Sequence, residues 1–402
     1  MNLYAQQGYG KGDKLHKGIA GNFLDGVLLS PRDEKTVRMK EFIQDIQTNF
    51  PDTQLLFDPQ FYYSLYIDAT SKNLNECDYY PGNIKLSSLR SLRKLHEIAL
   101  KSLEYQEQLG LNSLVSPNIL VPNFSDRQAQ IALSLSEEAA QIANDKGKEL
   151  YVSLIFSENA LNESRNVNDF LNELTTLDVK GYYITIDRKT TNYDQGFESE
   201  TALVNLLTLI YSLSEINEYE VIMGYSDIIG LLYSAVGASG FGTGWFNSSR
   251  KFTVQQRILP SSGGRLPRER YTSTPLLNTL LVSELDSIQT QFTRNGYNLD
   301  DILSTSSYEH IIKAGQSPSD TWSRGISHLQ HWSSLKNATE TIFNDPDDIS
   351  ARLDDLEDHI TTAAAKYKLL SNLPIQLEKT SQGLHLNTWL NALKSFRDLH
   401  RV

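Results

Sequence analysis

The sequence predicts an α/β fold of the (β/α)8 TIM-barrel type, followed by a helical C-terminal extension. Two features predict the barrel: short apolar segments alternate with longer stretches of helical periodicity, and eight such apolar segments end in polar residues. An apolar repeat of 3.5 residues after residue 348 predicts the extension. We place the barrel at residues 1–316 and the extension at 317–402. An open doubly wound sheet is the alternative, because one strand fewer would leave seven.

The elements follow in order along the chain. The predicted strands are 3–8, 25–33, 53–63, 111–123, 149–158, 181–188, 220–227 and 239–247. The helices between them include 34–50, 88–110, 125–147 and 198–217, and the second and third of these end on a glycine, as helix C-caps commonly do.

Two long segments interrupt this alternation. Residues 64–85 follow the third strand, and an insertion at the carboxyl end of a barrel strand is commonly a lid or a binding loop. Residues 253–275 carry four arginines together with glycines and prolines, which indicates a mobile loop over the same face. A solvated connection without function is the alternative for this second segment.

The tail contains one helix with a regular apolar stripe. Its members recur at spacings of three and four: Ile349, Leu353, Leu356, Ile360, Ala363, Tyr367 and Leu370. Such a stripe needs a partner helix. We expect residues 384–399 of the same chain to cover it, with a protein partner bound through the C-terminal helices as the alternative.

Composition narrows the class of protein. The net charge of −12 disfavours a surface that binds nucleic acid, although a local basic pocket is compatible with it. The single cysteine, Cys77, excludes an internal disulfide framework and a zinc site of several thiolates. No apolar run is long enough to span a membrane, and the N-terminus lacks the apolar core of a signal peptide. We therefore expect a cytoplasmic protein with no membrane association.

A barrel collects the polar residues that end its strands at one mouth, where active sites of this fold lie. These residues are Gln6, Gln7, Ser30, Arg32, Asp33, Asp58, Gln60, Asn118, Asn123, Ser157, Glu158, Asp187, Arg188, Tyr225, Ser226, Asp227, Thr243, Trp245 and Asn247. Among them, Asp58, Glu158 and Asp187 come from three different strands and are the candidate catalytic residues, as acid, base or nucleophile in glycosyl or ribosyl transfer. Each carboxylate alone also has a structural explanation, as a helix cap or a turn residue.

A glycine-rich segment, "GASGFGTGWFNSSRKF", spans residues 237–252. Barrels that bind phosphorylated ligands often hold the phosphate with backbone amides after strands seven and eight. The candidate ligand-binding residues are therefore Gly242, Thr243, Gly244, Arg250 and Lys251, with Tyr225, Arg32 and Gln60 beside them. Tight packing of the barrel wall is the alternative reason for these glycines.

Histidines are too scarce in the barrel segment to support a histidine-based triad or a metal site in the mouth. His328 and His331 lie one helical turn apart, but the sequence provides no identifiable third ligand, so we predict no metal site. The sequence identifies no cofactor. A divalent cation held by the three carboxylates is the alternative.

Residues 181–252 resemble the last third of queuine tRNA-ribosyltransferase barrels. The resemblance consists of "GYYITI", a helix, then a strand ending in "MG" and a Gly-Ala turn into the last strand; "FDPQF" at 57–61 is also similar to the aspartate-bearing third-strand motif of that family. It implies a TIM barrel and a catalytic role for Asp58. The family's zinc cysteines are absent here, and Thr243 stands where its aspartate nucleophile is expected.

Two functions are compatible with these features. The first is a carboxylate-using enzyme that acts on a small-molecule or nucleotide substrate: a nucleoside, a nucleotide or a phosphorylated sugar-like compound. The second is a non-catalytic barrel that serves as a subunit of a protein assembly through its helical tail. A deep pocket with converging carboxylates would favour the enzyme, and a mouth filled by side chains would favour the assembly subunit.

Overall fold

The computed structural model describes residues 1–66, 72–189, 193–255 and 268–402. The strands are β1 (Asn2–Gln6), β2 (Gly26–Leu29), β3 (Gln54–Phe57), β4 (Ser113–Val115), β5 (Leu120–Val121), β6 (Glu149–Ser157), β7 (Gly181–Asp187), β8 (Glu220–Met223), β9 (Gly240–Thr243), β10 (Arg270–Ser273) and β11 (Asn278–Leu281). The α-helices are Lys14–Ala20, Thr36–Asn49, Leu92–Gln108, Arg127–Asp145, Ser164–Leu174, Glu200–Tyr211, Gly230–Ala235, Asn247–Arg250, Val282–Asn295, Glu309–Ile312, Pro318–Thr321, Arg324–Thr341, Ile349–Ser371 and Leu386–His400.

The first nine strands form one parallel sheet in the order β3-β2-β1-β9-β8-β7-β6-β4, with β5 also paired to β6. The two ends of this order, β3 and β4, lie in contact, so the sheet is a nearly closed barrel. This nearly closed parallel sheet confirms the prediction of an α/β barrel. It does not match the open doubly wound sheet that was the alternative.

The predicted strand boundaries are less accurate than the architecture. The segment 111–123 is not one strand but the two short strands β4 and β5, and Pro117, which has no amide hydrogen to donate, lies between them. The strand predicted at 53–63 stops at Phe57, and a 3-10 helix over Phe61–Leu65 follows Pro59. Gly110 and Gly147, the expected C-caps, both have the left-handed φ of that role.

The barrel interior contains its own apolar cluster, to which seven of the strands contribute one buried residue each: Tyr4, Leu28, Leu56, Val115, Tyr151, Tyr183 and Ile222. At the amino ends of the strands, Tyr4 donates a hydrogen bond to Gln54, and Gln54 donates to the hydroxyl of Tyr151. Tyr151 in turn donates to Glu220. Hydrogen-bonded side chains therefore occupy this end, and the carboxyl ends of the strands are where a site is expected.

The helix Arg324–Thr341 packs against β1, the first helix and β10. The indole Nε1 of Trp332 donates a 3.0 Å hydrogen bond to the carbonyl of Thr243 in β9, and a methyl group added at Gly18 would lie 3.1 Å from the Trp332 ring. This helix occupies the position of the eighth crossover helix of a barrel, beside the junction of the first and last strands.

Residues between β10 and that helix form a second packed region. The antiparallel hairpin β10–β11 and the helix Val282–Asn295 share a separate apolar cluster that includes Tyr271, Leu285 and Trp322. Residues 253–275, predicted as a loop, include the strand β10, while 256–267 lie outside the described residues. Of the insertion 64–85, residues 67–71 also lie outside the described residues, and the rest contains short 3-10 segments.

The apolar stripe of the helix Ile349–Ser371 is buried, with Leu353, Leu356 and Ile360 at 1% exposure or less. This helix contacts the helix Leu386–His400, as predicted, and also the barrel helix Gly230–Ala235. The division of the chain at residue 316 stays a prediction. No helix among the residues in the described ranges has the length and apolar character needed to cross a membrane.

Candidate functional site

Asp58 lies at the carboxyl end of β3 and is only 2% exposed. Its Oδ1 accepts a 3.1 Å hydrogen bond from the amide of Gln60. Its Oδ2 accepts from the hydroxyls of Tyr62 at 3.2 Å and Tyr183 at 3.5 Å. Burial raises the pKa of both tyrosines, which keeps them protonated and able to donate. The carboxylate therefore sits at the base of the mouth in a shell of hydroxyl and amide donors.

Aromatic rings cover this carboxylate. The ring of Phe252 makes an edge contact with Tyr62, with centroids 5.3 Å apart, and a tilted contact with Tyr225 at 5.1 Å. Phe252 also holds the neighbouring loop in place, because its carbonyl accepts a hydrogen bond from the amide of Arg188. Among the described residues, the side chains that cover Asp58 are therefore mainly aromatic rings.

Three residues beside this cover have a left-handed backbone. Gln60, Tyr225 and Asp227 have φ values of 52°, a region that is uncommon for residues other than glycine and unfavourable for a bulky ring. All three follow barrel strands at the carboxyl end. The surrounding structure holds them in strained conformations, a property that is concentrated at functional sites.

Arg32, in the loop after β2, is hydrogen-bonded to Gln60, which follows β3. The amide of Arg32 donates to Oε1 of Gln60 at 3.1 Å, and the Arg32 guanidinium lies 5.1 Å from the centre of the Tyr63 ring. The side chain of Asp33 is 3.7 Å from this guanidinium. The two predicted ligand-binding residues therefore share one buried network with the aromatic cover.

Asp187 ends β7 and forms a register pair with Ser157. Its Oδ1 accepts a 2.8 Å hydrogen bond from the amide of Val254. Burial raises the pKa of this carboxyl to about 6, and the nearby charge of Glu158 acts in the same direction. Asp187 therefore exchanges its proton close to neutral pH, as a general acid or base should.

Glu158 directly follows β6 and is buried against Arg188. Arg188 Nε donates to Oε2 of Glu158 at 2.7 Å, and the amide of Glu198 donates to Oε1 at 2.6 Å. The guanidinium also lies 3.8 Å from the centre of the Phe197 ring. Glu158 fixes the position of Arg188, and the next loop closes over the pair.

A cavity of about 470 Å³ opens next to this ion pair. It is lined by Glu158, Arg188, Lys189, Asp194, Gly196, Phe197, Glu198, Lys251, Lys379, Thr380, Gln382, Leu384, His385 and Thr388. Lys251 Nζ donates to Oδ1 of Asp194 at 2.9 Å, while burial and the charge of Arg188 lower the pKa of this lysine. Of the predicted site residues, Glu158 and Lys251 line this cavity, and Asp58 and Asp187 do not.

Three cations of the cavity have carboxylate partners. Arg188 pairs with Glu158, Lys189 with Glu198, and Lys251 with Asp194. Lys379 also lines the cavity, so four cations and three carboxylates surround it and the cavity is polar.

The predicted phosphate-binding glycines lie elsewhere, in the packed barrel wall. A Cβ at Gly242 would lie 2.4 Å from Cδ1 of Leu28, and one at Gly244 would lie 2.2 Å from Oγ of Ser249. Oγ1 of Thr243 hydrogen-bonds Nε2 of His331 at 2.9 Å. Protein atoms thus fill the space beside Gly242, Thr243 and Gly244, and the packing explanation accounts for these residues.

Some cavity residues were not selected from the sequence. Asp194 lies in a loop, and Lys379 and His385 belong to the segment between the last two long helices, so no strand-end pattern points to them. Arg188 does have such a signal, since it directly follows β7.

Within the described ranges, no group of three or more His, Cys, Asp or Glu side chains is placed to hold a metal ion. His331 instead lies between the hydroxyls of Thr243 and Thr272.

Comparison of the chain with models of known protein families finds no match, and comparison with curated proteins finds none either.

Proposed function

We propose that this protein is a carboxylate-using barrel enzyme that transfers or hydrolyses a glycosyl or ribosyl group of a nucleoside, nucleotide or phosphorylated sugar-like substrate. The observation that carries the proposal is the pair of strand-end carboxylates, Asp58 and Asp187, in contrasting surroundings. Asp58 accepts hydrogen bonds from two tyrosines and an amide, whereas burial raises the pKa of Asp187 to about 6. Two carboxyl groups in contrasting surroundings are what acid-assisted glycosyl chemistry needs.

The roles follow from these surroundings. Asp187, protonated below a pH of about 6, donates a proton to the leaving group, and Asp58 stabilises positive charge that develops on the sugar. The rings of Tyr62, Tyr225 and Phe252 are at most 5% exposed and pack on one another, so a substrate reaches Asp58 only once these rings move apart. The neighbouring cavity of about 470 Å³ has room for the rest of such a substrate.

The proposal has a direct test. The purified protein is incubated with nucleosides, nucleoside monophosphates and p-nitrophenyl glycosides, and release of the free base, sugar or nitrophenol is measured. We expect Asp58→Asn and Asp187→Asn each to lower kcat at least about 100-fold. Glu163→Gln, at an exposed position after β6, is the matched control and should leave kcat unchanged. Absence of turnover with every substrate, or full activity in both aspartate variants, contradicts the proposal.

The second candidate function is a non-catalytic barrel within a protein assembly. The observation that favours it is the aromatic cover itself, since Tyr62 and Phe252 pack over Asp58 and leave it 2% exposed. The apolar stripe of the helix Ile349–Ser371 is already buried within the chain, so an assembly contact would use another surface of the tail. A protein that turns over no substrate but forms a stable complex on size-exclusion chromatography with light scattering supports this function instead.

A further inference from the structure

A cluster rich in cations lies beside the candidate site. It surrounds a cavity of about 20 Å³ lined by Tyr193, Trp245, Phe246, Arg250, Arg268, Glu269, Arg270, Arg324, Ser327 and His328. Four of these side chains are arginines and one is a carboxylate. A third, smaller cavity, of about 10 Å³, shares Arg188 and Lys251 with the large cavity and Tyr193 and Arg250 with this one. The cation cluster is therefore next to the proposed substrate cavity.

Arg250 is the central residue of the cluster. It is 5% exposed, and its Nε donates a 2.8 Å hydrogen bond to the carbonyl of Gly244, which fixes the direction of the guanidinium. Its Nη1 is buried and has no hydrogen-bond partner among the described residues. An unpaired donor on a buried cation is energetically costly, and an acceptor at this atom would remove that cost.

Two further buried atoms in the cluster are also unpaired. Nε of Arg324 and Nδ1 of His328 have no hydrogen-bond partner in the part of the chain that the structure describes. Burial, together with the charges of Arg250, Lys14 and Arg324, lowers the pKa of His328 to about 3. Burial is the largest cause of this shift, and the three cations act in the same direction.

Two of the four arginines have carboxylate partners: Arg268 pairs with Glu378, and Arg324 pairs with Glu269. Glu269 is 42% exposed, lies 3.5 Å from Nη2 of Arg324 and also lines the cavity. Asp227 interacts electrostatically with Arg250, but its Oδ2 accepts from Gln195 at 2.8 Å, and its Oδ1 accepts no hydrogen bond from any described residue. The amino end of the 18-residue helix Arg324–Thr341 adds a partial positive charge at the same place.

We propose that Arg250, Arg324 and His328 form a binding site for one phosphate group. The volume of about 20 Å³ admits one or two atoms of the size of a water oxygen, so it takes oxygens of the phosphate while the rest of the ligand stays outside. The guanidinium of Arg250 can donate hydrogen bonds to the oxygens of a phosphate group. The guanidinium of Arg324 supplies a second positive charge beside it. The inference deepens the proposed function and rests on it only for the idea that the phosphate belongs to the substrate.

The first experiment uses inorganic phosphate as the probe, titrated against the full-length protein at constant ionic strength, with binding followed by thermal shift and calorimetry. We expect saturable binding in the wild type. Arg324→Gln, at a side chain that is 35% exposed, should weaken it about tenfold without unfolding the protein. Arg250→Met should weaken it further, and its circular dichroism spectrum shows whether it folds. Arg165→Gln, which removes a cation that is 92% exposed on another helix, is the matched control and should bind as the wild type does.

The second experiment distinguishes a substrate phosphate from a free phosphate ion. Adenosine monophosphate and adenosine are titrated with and without inorganic phosphate. Tighter binding of the monophosphate than of adenosine, with competition by inorganic phosphate, assigns the site to a phosphorylated ligand. Binding of inorganic phosphate alone, sensitive to Arg324→Gln, still supports the anion site while the proposed reaction fails. Lack of saturable phosphate binding, or equal binding in Arg324→Gln and the wild type, overturns the inference whether or not the protein turns over a substrate.

Discussion

Arg188 and Glu158 form an ion pair of 2.7 Å in which both side chains are at least nine-tenths buried. Arg188 also donates to the carbonyl of Gly196 and packs on Phe197. The pair thereby joins the ends of β6 and β7 to the loop 193–198, which forms one wall of the large cavity. Breaking it should affect both stability and the shape of that wall.

The first prediction concerns this pair. Glu158→Gln should lower the free energy of unfolding by about 3 kcal/mol, because it leaves a buried guanidinium without its counter-charge. Urea denaturation followed by circular dichroism measures the loss. The double variant Glu158→Gln, Arg188→Met should recover part of it, since it removes the unpaired charge as well. A loss under about 1 kcal/mol in the single variant, or a double variant less stable than the single one, contradicts the prediction.

The second prediction concerns Asp187. The folded state raises the pKa of this carboxyl from 3.8 to about 6, so the folded protein binds the proton more tightly than the unfolded chain does. The stabilisation by protonation is complete below pH 3.8 and is lost as the pH rises to about 6, with a total of about 3 kcal/mol. Relative to the wild type, Asp187→Asn should therefore gain stability between pH 4 and pH 6.

Chemical denaturation of both proteins at several pH values between 4 and 7 measures this difference. Because other groups titrate over the same range, the quantity of interest is the difference between wild type and variant. Asp169→Asn, at a side chain that is 69% exposed, is the control and should show no such trend. A constant difference between wild type and Asp187→Asn across this range would mean that the carboxyl has an ordinary pKa.

The third prediction concerns Gly242. A methyl group there would lie 2.4 Å from Cδ1 of Leu28 and 3.1 Å from Oε1 of Gln6, so Gly242→Ala should destabilise the protein by about 1–3 kcal/mol. Leu28→Ala removes the closer contact. Gly242→Ala should therefore lower the free energy of unfolding less when it is combined with Leu28→Ala than when it is made alone. Gly325→Ala is the control, because its nearest neighbour, Oγ of Ser323, lies 3.9 Å away and alanine favours the helix. Thermal unfolding compares the wild type, the three single variants and the double variant, and equal effects at the two glycines would count against packing at Gly242.

The sequence was sufficient to predict the barrel because its strands are continuous apolar runs. A parallel strand covered on both faces has few polar residues away from its ends, and those ends mark the mouth. The positions of Asp58, Asp187 and Glu158 after their strands could be predicted for this reason. The limits of the strands could not, because proline and turn residues such as Pro59 and Pro117 shorten them within apolar segments.

The rest of the candidate site depends on contacts between distant parts of the chain. Lys379 and His385 reach the cavity only because the tail packs back on the barrel, and local sequence patterns carry no signal for that. The paired state of Lys251 depends in the same way on Asp194, which lies 57 residues away along the chain. The glycines near residue 242 could not be assigned from sequence, since close packing and anion binding both favour glycine.

The position of the helix Arg324–Thr341 has a consequence for how the protein is made. Strand β9 ends at Thr243, but the helix that covers the junction of β1 and β9 is synthesised only after a further roughly 100 residues. At a synthesis rate of about 5–20 residues per second, an apolar groove beside Thr243 and Gly18 stays uncovered on the ribosome for roughly 5–20 s. During this interval the nascent chain presents a surface that chaperones recognise, and a chain truncated before Trp332 should aggregate rather than fold.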